Sequence, residues 1–263
     1  SEGQRTTPLV LEAAWPAHGQ IEFDDVSFRY KPEDPLVLKH VSFSVRGGEK
    51  IGVVGRTGAG KSSLMMTLFR INEVATGTIK IDGVDIAAVG LKRLRSSLAI
   101  IPQNPVLFKG TLRNYMDPFD EFTDEQLWRA LKKINMMERI AASDDKLLQL
   151  VEENGENFSV GERQMLCMSR AMLQQAKIVI MDEATAAMDH DTDQLLQKVI
   201  RVEFATSTVM TIAHRLDTVL DYNRIMVYER GELAQCDTPE ALIGQGRGIF
   251  FEMVTEGNYL QHT

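Results

Sequence analysis

The sequence predicts an α/β fold: a core built around a phosphate-binding loop, an antiparallel β subdomain beside it, and an inserted all-helical subdomain over about residues 104–174. Three observations carry that expectation. Lys50-Ile51-Gly52-Val53-Val54 is a short apolar run bounded by glycines, as in a buried strand, and Ser63 to Phe69 has helical character. A second apolar run, Ile178–Met181, ends in Asp182-Glu183. Between them, from Asn104 to Gln174, the pattern is helical and carries no strand signal.

The segment joining the first strand to its helix is Gly55-Arg56-Thr57-Gly58-Ala59-Gly60-Lys61-Ser62, followed by Ser63. It reads G-x-x-x-x-G-K-S in the strand-to-helix context that gives the Walker A pattern its meaning. Glycines let the backbone wrap closely around a polyphosphate, where a Cβ would block the approach. Exposed amides and the helix N-terminus supply partial positive charge. Lys61 adds a full charge for the β- and γ-phosphates, and the Ser62 hydroxyl is placed to bind Mg²⁺. This is the signature of a P-loop NTPase with a RecA-like core, and it predicts binding of a nucleoside triphosphate.

Composition narrows the setting. At 263 residues the chain fits one large domain or two small ones. A net charge of −8 argues against a nucleic-acid surface. Cys167 and Cys236 lie far apart in apolar surroundings and read as reduced, buried thiols. No apolar run reaches the ~20 residues of a membrane span, and no signal-peptide pattern opens the chain.

Taken in order, residues 1–19 hold Gly3, Pro8, Pro16 and Gly19 with little periodicity, a linker expected to pack loosely through Trp15. Ile21, Phe23, Val26, Phe28 and Tyr30 alternate with one slip at Asp24-Asp25, the pattern of a bulged, half-buried strand. Val41, Phe43 and Val45 repeat the alternation before Arg46-Gly47-Gly48 turns the chain into the phosphate-loop strand. Thr78–Ile81 with Asp82-Gly83 predicts a strand and tight turn. Leu98–Ile101 predicts a short strand ending at Pro102-Gln103. Thr123-x-x-Gln126 is a capping box for a helix with Leu127, Ala130, Leu131 and Ile134 on one face. After Asp182 come a helix from Asp191 to Phe204, strands Thr208–Ile212 and Arg224–Tyr228, and a helix pair opened by Thr238-Pro239.

Two further stretches carry chemistry. Asp182 stands at the C-terminal edge of its strand, where open α/β sheets bind ligands, and can share Mg²⁺ with Ser62. Glu183, one residue on, is placed to polarise a water attacking the γ-phosphate. Upstream, Phe158-Ser159-Val160-Gly161-Glu162-Arg163-Gln164 opens a helix that runs to Leu173, with Ser159-x-x-Glu162 as its capping box.

With Gln103 and His214, the order of these motifs resembles the nucleotide-binding domain of ATP-binding cassette (ABC) transporters. It is most similar to the C-terminal one of the multidrug-resistance-associated proteins, subfamily C. Ile101-Pro102-Gln103-Asn104-Pro105-Val106-Leu107-Phe108, Asp117-Pro118-Phe119 and Asp182-Glu183-Ala184-Thr185-Ala186-Ala187 carry the likeness, which covers about residues 15–260. The resemblance implies a domain from residue 20 to 263 that binds ATP and Mg²⁺ and hydrolyses ATP to power export. Residues 1–19 would then link it to a preceding membrane domain. It implies that Tyr30 stacks on adenine and that Arg56, Thr57, Gly58, Ala59, Gly60, Lys61, Ser62 and Ser63 hold the phosphates. Gln103 would join Mg²⁺ or the attacking water, His214 would contact the γ-phosphate, and Asp189 would sit in a turn facing a second nucleotide-binding domain. Ser159 and Gly161 would complete the ATP site of that second domain. Fused transmembrane domains, a place on the cytosolic face of a membrane, and a monomeric isolated chain complete the implication.

The likeness fails at one place. The family pattern Leu-Ser-Gly-Gly-Gln stands here as Phe158-Ser159-Val160-Gly161-Glu162. Val160 removes a flexible glycine, and Glu162 puts an anion at the end of the helix that would receive the partner's γ-phosphate. The composite site built with this segment is therefore expected to be impaired. Two rival readings are an ATP-sensing regulatory domain, which the presence of Glu183 disfavours, and a soluble repair or translation ATPase. No heptad insertion separates Lys61 from Asp182, which disfavours the latter.

Overall fold

Alternating and continuous apolar runs sort into two different sheets. The computed structural model describes residues 11–56, 60–183 and 189–257. In chain order, β1 (Ile21–Phe28) and β2 (Leu38–Val45) are followed by β3 (Lys50–Gly55) and α1 (Lys61–Leu68). Then come β4 (Thr76–Ile81), β5 (Val84–Asp85), α2 (Leu91–Ser97) and β6 (Leu98–Ile101). Strands β1, β2, β4 and β5 form an antiparallel sheet in the order β2-β1-β4-β5. The expected bulge is present: the β1–β2 register shifts between Phe23 and Val26, and Asp25 takes φ 49.

The inserted segment holds β7 (Gly110–Thr111), α3 (Leu112–Met116), α4 (Asp124–Lys133), α5 (Met137–Ala141), β8 (Leu150–Val151) and α6 (Val160–Leu173). It is not purely helical, contrary to the sequence expectation. Gly110 pairs with Val151 and Thr111 with Leu150 in a two-stranded antiparallel sheet. Two-residue strands are too short to write an alternation into the sequence, so pattern reading misses them. Both predicted capping boxes form, Thr123–Gln126 on α4 and Ser159–Glu162 on α6.

The chain continues with β9 (Ile178–Asp182), α7 (His190–Glu203), β10 (Thr208–Ile212), β11 (Arg224–Glu229), β12 (Glu232–Asp237), α8 (Pro239–Gly244) and α9 (Ile249–Glu256). The larger sheet has the order β12-β11-β3-β10-β9-β6, parallel except for β12 at its edge. Every residue of β9 and β10 is buried, as expected of parallel strands covered on both faces. One core packs α3, α4 and α6 against one face of β6 and β9, with Leu112, Leu131, Leu166 and Val179 among its members. A second joins the antiparallel sheet to α1 and the opposite face, through Phe28, Leu64 and Ile180.

Trp15 is a firm anchor, not a loose one. Its ring is buried and Nε1 donates to the Ile81 carbonyl at 3.0 Å. Arg93 Nη2 donates to the carbonyls of Ala13 and Trp15 at 3.0 and 2.8 Å. Asp82, at φ 48 in the β4–β5 turn, accepts from the amides of His18, Gly19 and Gln20. These long-range bonds rest on residues whose local pattern gives no hint of them, so the segment reads as a linker.

Candidate functional site

The site forms where β3, β9 and β10 end side by side. Parallel pairing aligns Lys50 with Val209 and Ile212 with Asp182, so the C-terminal ends of all three strands lie at one edge. From that edge β3 passes through the loop into α1. Thr57, Gly58 and Ala59 lie outside the described residues, as do Ala184–Met188. Gly60 enters α1 at φ 93, and a Cβ there would meet the Val37 carbonyl at 2.9 Å. Helix α1 has no side-chain cap and no acidic residue in its first turn. By contrast Thr123, Ser159, Asp189 and Thr238 cap α4, α6, α7 and α8. Among the described residues no side-chain cap and no first-turn acid neutralises the amide dipoles at the start of α1, a setting that favours an anion.

Lys61 Nζ donates to the Gly55 carbonyl at the end of β3 at 2.8 Å. Burial pulls its pKa down, while the charges of Asp182 and Glu183 pull it up. Asp182 is buried at the end of β9 and lies 3.3 Å from His214 Nε2. Burial raises the Asp182 carboxyl above its ordinary range, with His214 and Lys61 opposing. Glu183 is 4% exposed. Its Oε2 accepts from the amides of His214 at 2.7 Å and Arg215 at 3.0 Å. Its Oε1 is buried and accepts no hydrogen bond from the described residues, with Arg215 Nη2 3.6 Å away. Burial also pushes the Glu183 carboxyl up, against the pull of those two amides, the Thr218 hydroxyl and the Arg215 charge.

The remaining predicted residues divide. Tyr30 reaches α1, its hydroxyl 3.4 Å from Ser63 Oγ and 3.6 Å from Met66 Sδ. Its ring packs edge-on against Phe28 and leaves 47% of the residue exposed, which suits a stacking partner. Arg56 is exposed and stands 3.9 Å from Glu252 of α9, not against Lys61. Gln103 follows β6, and Gln164 Nε2 of α6 donates to its carbonyl at 3.2 Å. Ser159 and Gly161 start α6. Ser159 exchanges hydrogen bonds with Glu162, and a Cβ on Gly161 would meet Thr192 Cγ2 at 3.0 Å. Ser159 also accepts from the Arg163 amide through its carbonyl at 2.9 Å.

Three residues that sequence reasoning passed over matter here. Arg215 bridges Glu183 to Asp193 of α7, which it meets at 2.6 Å. It directly follows His214, so its position was the available signal. Gln164 ties α6 to Gln103. Arg139 of α5 pairs with Glu162, and no sequence pattern connects the two.

A family model described as ABC transporter matches residues 38–186. The chain is 50% identical over 244 residues to ATP-binding cassette sub-family C member 2 of Rattus norvegicus, which covers 93% of this chain and 16% of that protein. It is 49% identical to ABC transporter C family MRP4 of Zea mays over 254 residues, 95% of this chain and 17% of the relative. It is 47% identical to ATP-binding cassette sub-family C member 3 of Homo sapiens over 97% of this chain and 17% of the relative. The chain thus spans about a sixth of the length of these relatives. Among solved structures, a bacterial Atm1-family ABC exporter with ATP bound superposes with a TM-score of 0.86 at 31% identity, over 98% of this chain and 44% of that one.

Proposed function

We propose, from the premise that this chain belongs to the ABC transporter family, that it is the ATP-hydrolysing domain of a subfamily C exporter and the second such domain of its polypeptide. Residues 20–263 are then the nucleotide-binding domain, with its insertion at about 104–174, and residues 1–19 lead from a preceding membrane domain. Among the described residues no helix is long and apolar enough to cross a membrane. Fused transmembrane segments and a position at the cytosolic face belong to the proposal.

The observation that carries the reading is the convergence of Lys61, Asp182, Glu183 and His214 at one strand edge below an uncapped α1. ATP phosphates are held by the α1 amides and Lys61, with Arg56, Thr57, Gly58, Ala59 and Gly60 forming the loop and Tyr30 stacking on the base. Asp182 and the Ser62 hydroxyl offer hard oxygen donors, and with Gln103 they fit Mg²⁺. That ion commonly takes one or two carboxylates and completes its shell with phosphate and water. Held by these residues, Mg²⁺ would supply positive charge against the negative charge that develops on the phosphates during transfer. Glu183 acts through Oε1, the oxygen left without a hydrogen bond, to orient and deprotonate the attacking water. His214 lies within reach of the same space through Nε2. Ser159 and Gly161, at the start of α6, face the ATP of a companion domain across a shared interface.

The test is phosphate release from MgATP by this chain, alone and mixed with its companion nucleotide-binding domain. Slow turnover from a monomer, rising with the companion, is expected. Fast turnover from the chain alone as a stable homodimer overturns the two-domain reading.

A further inference from the structure

We propose that Arg139 is a positioning residue that neutralises Glu162, so that a carboxylate can stand at the phosphate-facing end of α6. The inference rests on the reading above, in which Ser159 and Gly161 meet ATP held by the companion domain. Both oxygens of Glu162 are engaged. Oε1 accepts from the Ser159 amide at 2.9 Å, closing the capping box, and Oε2 pairs with Arg139 Nε. The same guanidinium lies over the Phe158 ring, 4.5 Å from its centroid, and Nη2 donates to the Asn157 carbonyl at 3.1 Å. One side chain from α5 therefore touches three of the six residues from Asn157 to Glu162.

The sequence alone suggested that Glu162 sets an anion against the incoming phosphate. The structure answers that charge. The Arg139–Glu162 pair is neutral as a unit, and stacking on Phe158 with the bond to Asn157 fixes where the positive end sits. Removing Arg139 leaves a net negative charge at the start of α6. Removing the Glu162 charge leaves a net positive one. At ~10 Å and an effective dielectric of about 20, one unit charge moves a phosphate-dependent equilibrium roughly tenfold.

The two substitutions must therefore act in opposite directions and cancel when combined. A role confined to bracing the helix makes a different forecast, since either substitution loosens the brace and the double variant is no better. The experiment follows ATP-dependent association with the companion nucleotide-binding domain by sedimentation velocity, in a Glu183→Gln background that holds ATP unhydrolysed, at low and high salt. Thermal unfolding of each variant is measured beside it. Expected are about tenfold weaker association for Arg139→Ala and about tenfold stronger for Glu162→Gln. The double variant should fall within about threefold of the parent, and all differences should shrink as salt rises. Arg139→Lys keeps the charge and should stay near the parent even if Arg139→Ala folds poorly. Weakening by both single substitutions, or no change from either while ATP still drives association, overturns the inference and leaves the proposed function standing. No ATP-dependent association in the parent overturns the assignment of α6 and the inference with it.

Discussion

Replacing Glu183 with Gln should nearly abolish hydrolysis while leaving ATP binding and the fold in place. The side chain has two separable ends. Oε2 is fixed by the amides of His214 and Arg215, and a glutamine oxygen can accept those same two bonds. Oε1, buried and without a hydrogen bond, becomes an amide nitrogen that cannot take a proton. Loss of a general base typically costs ~10²–10⁴-fold in rate, about 3–5 kcal/mol of barrier. The structural cost is smaller. Exchanging charge-assisted for neutral hydrogen bonds loses about 1 kcal/mol each, and relief of a buried charge offsets part of it. Steady-state phosphate release, titration with a fluorescent ATP analogue and thermal unfolding separate these effects. Turnover within about threefold of the parent would refute the assignment of Glu183. So would a loss of turnover matched by a loss of nucleotide affinity. Burial also raises the Glu183 carboxyl above its ordinary 4.5. The ionised form is the active one, so turnover should fall as pH drops through that raised value. The residual activity of the Gln variant should lack this acid limb.

Two other substitutions test the binding loop and the scaffold. Lys61→Ala should weaken ATP binding by about 1.5–3 kcal/mol, roughly 10- to 100-fold, and unchanged affinity in the fluorescent titration removes Lys61 from the phosphate site. Arg224→Ala should destabilise the fold by about 3 kcal/mol, because it strips Nε and Nη2 from Glu49, which is 5% exposed, and leaves that charge only the Arg46 amide and the solvent-facing Arg46 guanidinium at 3.6 Å. Burial pushes the Glu49 carboxyl up, but Arg224 and the Arg46 amide outweigh it and hold the pKa below its ordinary 4.5. That stabilisation is present above pH 4.5 and lost as pH falls through the lowered value, so urea melts at stepped acidic pH should separate parent from variant above this window and converge below it.

The parts of this fold legible in the sequence are those with a local period or a local motif. Ile178–Met181, Thr208–Ile212 and Arg224–Tyr228 are strands because continuous apolar runs have few other uses in a chain with helices on both sides of its sheet. The phosphate loop, the acidic pair after β9 and the two capping boxes are likewise written within a few residues. What stayed hidden depends on partners distant in sequence. Helix α2 has one buried residue, Leu94, and therefore no apolar stripe to read. Strand β12 is an edge strand whose polar residues leave no alternation. The Trp15 indole finds Ile81, and Arg139 finds Glu162, only after the sheet and the insertion have folded.

The adjacency of Asp182 and Glu183 gains its meaning from register. Successive side chains on a strand point to opposite faces, so two neighbouring carboxylates take different hydrogen-bond partners even where both act on Lys61. Pairing of Ile212 with Asp182, continued by the Glu183 amide bonding to the Ile212 carbonyl at 2.9 Å, fixes which carboxylate faces which way. Asp182 meets His214 Nε2 and the field of Lys61, the side where phosphate and metal chemistry gathers. Glu183 turns under the amides that follow β10, where one oxygen is pinned and the other is kept free of hydrogen bonds. A slip of one residue between β9 and β10 would exchange these roles, placing the pinned carboxylate where a ligand donor belongs. The Ala213 amide bonds to the Val53 carbonyl at 2.9 Å, which ties the same register to the strand that carries the phosphate loop. On the proposed function, the division of labour between a metal ligand at Asp182 and a base at Glu183 is therefore set by backbone pairing across β3, β10 and β9.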